Sequence, residues 1–183
     1  MKKNHFITTL PRAGILCTIL MPFALLGPTT LAEENPSAPS EPVWDFVEFQ
    51  VKSWGEPLSS WRLTSRGGGS WTETQKGESD PNGTYSLAWH EIPEDVTLYV
   101  SLEEILRSLP APAPDPDDCE VFMPDLPYGT LRMTKGATTT EIKWNSGCMD
   151  PEYRSFMEIL KKADTLISTV GRDQPIQRTE TFP

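Results

Sequence analysis

The chain of 183 residues carries 26 Asp plus Glu against 16 Lys plus Arg, a net charge of -10. Such a chain is repelled by nucleic-acid phosphates and by anionic lipid surfaces, and no basic cluster creates a local exception, so neither is expected as a partner.

In chain order, the first segment reads as an export signal. Lys2, Lys3 and Arg12 lead an apolar run from Ala13 to Leu26 that Gly27 and Pro28 end, the three-part layout of a cleavable signal peptide. Thr30 and Ala32 put small residues where a signal peptidase reads them, so residues 1–32 are expected to be removed. A membrane anchor fits less well, because the run is about fourteen residues with Pro22 inside it, whereas a spanning helix needs roughly twenty. Cys17 lies within the run behind Leu16, which does not suit a lipoprotein signal. The Met-Lys-Lys start has a bacterial look, so the mature chain is expected in the periplasm or outside the cell. Without the leader, 13 cationic residues face 26 acidic ones, a net charge of about -13.

Residues 33–42 hold three prolines and no large apolar residue and read as a flexible leader. From Trp44 to Lys52, Val47, Phe49 and Val51 alternate with polar residues, the period of a half-buried strand. Gly55-Glu56-Pro57 turns the chain into a second strand through Trp61 and Leu63. Gly67-Gly68-Gly69 then turns it into a third around Trp71 to Gln75. After the Asp80-Pro81-Asn82-Gly83 turn, Tyr85, Leu87 and Trp89 alternate with Ser86, Ala88 and His90. That alternation puts His90 on the solvent side.

A first helix is expected from about 94 to 109, carried by Val96, Tyr99, Val100, Leu102, Ile105, Leu106 and Leu109. A proline-rich connector at 110–116 leads to Cys119. Leu131 and Met133, with Glu141 to Trp144, bracket a turn at Lys135-Gly136 and make a second hairpin set. A second helix is expected over 151–170, with Asp150 as N-cap, Pro151 in the first turn and Gly171 as the stop. Glu158 and Lys162 are spaced for an ion pair on its outer face. Residues 172–183, polar with two prolines, read as a flexible tail. The fold expected is α+β: residues 43–171 form a single disulfide-stapled domain, an antiparallel sheet of about six strands in two hairpin sets with two helices. The spacing of Trp89 and Trp144 before similar helical triplets admits a ββα duplication.

Once Cys17 is removed, Cys119 and Cys148 have one intramolecular pairing, and a disulfide is expected between them. Two thiols and one histidine do not make a zinc set. Asp115, Asp117, Asp118 and Glu120 offer oxygen for calcium but lack the EF-hand spacing, so solvated loop charge is the default and no metal is assigned. The loop Arg66 to Ser70 resembles a phosphate-binding glycine loop, yet it lacks the lysine and the following helix. His90 has Ser86 and Glu91 near it without a Gly-x-Ser-x-Gly elbow. No cofactor motif is present, and no catalytic residue is assigned.

All six tryptophans lie beyond residue 32. Trp61, Trp89 and Trp144 are expected in the core. Trp54, Trp71 and Arg66 are the expected exposed contacts for a protein, peptide or glycan. The expectation is therefore a non-catalytic binding domain of the bacterial envelope. A small extracytoplasmic hydrolase using His90 and a periplasmic protease-inhibitor-like protein are the alternatives.

Overall fold

The computed structural model describes residues 41–75 and 84–182. The expected signal peptide, residues 33–40 of the expected leader, and the expected turn at 80–83 lie outside the described residues. The strands are β1 (Phe46–Ser53), β2 (Glu56–Thr64), β3 (Gly69–Gln75), β4 (Tyr85–Ile92), β5 (Tyr128–Lys135), β6 (Thr138–Asn145) and β7 (Ile176–Phe182). Helix α1 (Val96–Leu106) follows β4, and α2 (Pro151–Arg172) lies between β6 and β7. All strands join one antiparallel sheet in the order β6-β5-β1-β2-β3-β4-β7. The α+β architecture is the one expected, with a seventh strand. Hairpins β3–β4 and β5–β6 flank the central β1–β2 pair, and each is followed in the chain by a helix.

The extra strand comes from the expected tail. Residues Ile176–Phe182 pair with β4, Trp89 opposite Arg178 and Tyr85 opposite Phe182. Being an edge strand exposed on nearly every residue, β7 carries no apolar alternation, so periodicity could not reveal it. The end of the expected leader is tied as well: Lys135 Nζ lies 3.0 Å from Glu41 Oε1 and donates to the Pro42 carbonyl.

One face of the sheet packs on both helices. Val47, Phe49, Trp61, Leu63, Leu131 and Trp144 contribute from the strands, with Leu98 and Leu102 of α1 and Phe156, Leu160 and Ile167 of α2 closing the core. Facing residues in the register agree: Phe49 lies opposite Trp61 and Leu131, and Trp61 opposite Trp71. Trp144, opposite Gly129, stacks on Phe49 at 5.2 Å, and Phe49 stacks on Trp61 at 5.5 Å. Gly129 permits this, because a Cβ there would overlap the Gln50 carbonyl and the Trp144 ring.

Strand β4 faces the other way from its expected orientation. Ala88, His90 and Ile92 point into the core, while Trp89 lies on the open face. Large residues at 85, 87 and 89 suggested the buried side, but β7 partners them on the outside. Arg178 stacks over Trp89 at 4.2 Å, and Phe182 stacks on Tyr85. The sequence echo that equated Trp89 with Trp144 therefore fails, since the two rings lie on opposite faces.

Helix α1 starts at Val96, capped by Asp95, whose carboxylate accepts from the Thr97 amide at 2.9 Å. It buries Leu98, Tyr99, Leu102 and Leu106, leaving Val96 and Val100 exposed. Helix α2 ends at Arg172, one residue beyond the expected stop at Gly171, which lies in the last helical turn without a positive φ. A Cβ at Gly171 would overlap Trp71, so the glycine allows the helix to lie directly on that ring. The Glu158–Lys162 pair expected on its outer face does not form.

Tyr99 fastens the start of the domain to α1: its hydroxyl donates to the Trp44 carbonyl at 2.7 Å and accepts from the Trp44 amide at 3.0 Å. Burial pushes this phenol from 10.0 up to about 12, against the Trp44 contact, and the neighbouring Glu103 carboxylate adds to the rise. The folded state thus holds a proton that the unfolded chain releases earlier. The stabilisation is complete below about pH 10 and is lost as pH rises through 12. In a spectrophotometric titration Tyr99→Phe should remove a late tyrosinate step; an unchanged curve would contradict this assignment.

Candidate interaction site

The end of the sheet where β1 turns into β2 carries the largest exposed apolar group. Trp54 (φ 53) and Gly55 (φ 84) form the turn, and the Gly55 amide donates to the Tyr128 hydroxyl at 3.1 Å. Trp54 is 77% exposed. Left-handed backbone costs a non-glycine residue roughly 1–2 kcal/mol. The two non-glycine residues with positive φ among those described are Trp54 and Asp125, and both border one hollow of about 190 Å³ together with Tyr128.

Beside this turn runs the segment 119–127, which is fastened at several points. Cys119 and Cys148 form the expected disulfide. Asp150, although it is the N-cap of α2, makes no side-chain capping bond. Its carboxylate instead accepts from the amides of Glu120 at 2.9 Å and Val121 at 3.1 Å. The Met123 amide donates to the Gly147 carbonyl, and the Met149 amide to the Val121 carbonyl. With its backbone held this way, the segment turns its side chains outward: Val121, Phe122 and Met123 are 60%, 50% and 51% exposed. Tyr128 links them to Trp54, since it borders a second hollow with Phe122.

The rim is mostly acidic. Asp117, Asp118, Glu120 and Asp125 are exposed around the apolar centre, while Lys52 and Lys143 border the hollow beside Phe122. Asp115 caps the short 3-10 turn Pro116–Asp118 by accepting from the Asp117 amide at 2.9 Å. The close grouping of Cys119, Cys148 and Asp150 resembles a ligand set by distance. Its sulfurs are bonded to each other and its carboxylate to two amides, so no free donors remain for a metal.

The end of this segment and the stretch paired with it wall a second feature. Pro127, Cys148 and Met149 border a cleft of about 360 Å³ that runs between α2 and the sheet, with Phe49 and Trp144 at its base. Asp164 of α2 lines it, and its Oδ1 accepts from Trp61 Nε1 at 3.0 Å. Burial pushes the Asp164 carboxyl above its ordinary value, against the Trp61 bond and the Arg172 charge.

The three expected contact residues are not brought together. Trp54 and Arg66 sit at opposite ends of β2, and Arg66 pairs at the surface with Glu94 at 2.8 Å. The glycine loop is a packing turn, because a Cβ at Gly67 would overlap the Asp95 backbone. Trp71 corrects its expectation outright: it is 0% exposed, sealed beneath Gly171, His90 and Arg172. The glycines seemed to promise an open surface, but they place β3 so that Trp71 enters the core two residues into the strand.

His90 is also corrected. It is 5% exposed and shares the core face with Trp71, its Nδ1 lying 2.8 Å from the Gln174 carbonyl, to which it donates. A general base must reach a substrate proton, and this ring is packed away from any approach. The segment Val121-Phe122-Met123 was missed as a site. Three large apolar residues without helix or strand period, between a cysteine and a proline, were the available signal. No protein-family model matches the chain, and no curated protein does.

Proposed function

We propose that this chain is an exported, non-catalytic binding domain of the bacterial envelope that holds a protein partner on the surface formed by Trp54, Tyr128, Phe122 and Met123. The observation that carries the reading is the combination of exposed large apolar side chains with a backbone that is tied down beneath them. A preordered loop loses little freedom on association, and aromatic side chains dominate the energetics of interface centres. The partner expected is a protein with an apolar centre and a cationic rim, complementary to Asp117, Asp118, Glu120 and Asp125. The disulfide suits an oxidising compartment, and no described helix is long and apolar enough to cross a membrane.

Trp54→Gly separates this role from a structural one. Glycine relieves the φ of 53°, so the variant should be more stable by about 1 kcal/mol while binding more weakly. A photo-crosslinking residue at 122 should give one discrete adduct in cells, absent when Trp54→Gly is added, and the same label at the exposed β4 position 91 should give none. Equal adducts from both positions, or none from 122, would remove the proposal. With the crosslinked protein purified, Trp54→Gly should raise Kd about thirtyfold, the scale of one interface hot spot.

The fastened segment also favours a narrower reading, inhibition of a protease by residues 120–124. Inhibitory loops resist cleavage because their backbone is held. Rapid cutting at this segment by the protease it meets would exclude that version and leave the broader one in place.

A further inference from the structure

The cleft between α2 and the sheet has a mixed chemistry that the fold does not use up. Its base is aromatic, formed by Phe49 and Trp144. Asp164 lines it with one carboxylate oxygen bonded by Trp61 and the other without a hydrogen-bond partner. Trp144 Nε1 is buried without a hydrogen-bond partner. At the rim, the cationic Arg154 and Lys161 and the anionic Glu158 are exposed and form no ion pair, leaving Asp164 as the charged group set deepest. A half-buried carboxylate with a vacant oxygen beside stacked aromatic rings favours a cation that carries its own apolar stem. The stem rests on the rings and displaces water, and the head pairs with the carboxylate where solvent screening is reduced.

We infer that the cleft accepts an arginine or lysine side chain of the protein partner, with the aliphatic stem on Phe49 and Trp144 and the charged head at Asp164. The cleft is bordered by Pro127 of the segment that carries Phe122 and Met123, and by Cys148 and Met149 of the stretch hydrogen-bonded to it, so the two surfaces adjoin and one polypeptide can engage both. The inference rests on the binding reading for the source of the side chain. The site itself can be tested without the partner.

The test uses capped amino acids on the intact disulfide-bonded domain, followed by indole proton shifts in NMR spectra. N-acetyl-arginine methylamide should shift the Trp61 and Trp144 indole signals and bind at least about tenfold more tightly than the norleucine analogue. Asp164→Asn keeps an acceptor for Trp61 and should abolish that preference while leaving the melting curve nearly unchanged. Met157→Trp, which fills the cleft from α2, should abolish binding of both probes. Equal affinity for arginine and norleucine, a preference for the glutamate analogue, or an arginine preference that survives Asp164→Asn would each overturn the inference. None of these results would bear on the crosslink from position 122, so failure of the cleft and failure of the outer surface remain distinguishable.

Discussion

Trp71→Ala is expected to destabilise the domain by about 3–5 kcal/mol, the range for emptying a fully buried aromatic site. The ring touches the two elements that follow it in the core. Gly171 brings α2 onto its face, and His90 packs against it at 4.9 Å between ring centroids. Neither neighbour can collapse into the void, because Gly171 has no side chain to offer and His90 is tethered to the Gln174 carbonyl. Arg172, with its guanidinium 5.3 Å from the ring centroid, also loses its platform. The unfolding midpoint in denaturant should fall accordingly, and β7, which starts just beyond the Gln174 anchor, should lose amide protection before the central strands do. A change below about 1 kcal/mol, the scale of a surface substitution, would mean that Trp71 is not the keystone of the β3–α2 contact.

That position also shows where the sequence was legible and where it was not. Strands β1 and β2 were readable because each buries one face under a helix, so Val47 and Phe49 alternate with solvated neighbours. Helix α2 was readable because Tyr153, Phe156, Leu160, Ala163 and Ile167 keep one stripe buried over its length. Strand β4 misled because both its faces are covered, one by the helices and one by side chains of β7, and size alone cannot say which covering is the core. Gly171 has two uses, a helix stop or a close approach to a neighbour, and only the position of Trp71 decides between them. Trp54 could be recognised as exposed from its turn. The Val121-Phe122-Met123 surface could not, since what holds it outward is a set of hydrogen bonds to the Asp150 carboxylate and to the Gly147 and Met149 backbone, made across roughly thirty residues of chain.

The second large effect is expected from removing the disulfide, which would test how those bonds share the work. Cys119→Ser with Cys148→Ser frees a loop with a sequence separation of 29, for which the chain-entropy model gives a loss of about 3–4 kcal/mol. The sheet should survive, because the link joins the connector to the start of α2 and bridges none of its paired strands. The local consequence reaches the binding surface. Asp150 still accepts from the Glu120 and Val121 amides, so the loop should remain partly ordered, its amides exchanging faster than in the wild type while those of β1 and β5 are unchanged. Adding Asp150→Ala removes both charge-assisted bonds and should loosen the segment further, leaving the Met123–Gly147 and Met149–Val121 backbone bonds as its remaining ties. Association then has to order Val121, Phe122 and Met123 at the moment of contact, and affinity for the crosslinked partner should fall stepwise across the two variants. If the serine variant melts with the wild type and its loop amides keep full protection, the carboxylate and the two backbone bonds hold the surface, and the disulfide contributes to neither stability nor presentation.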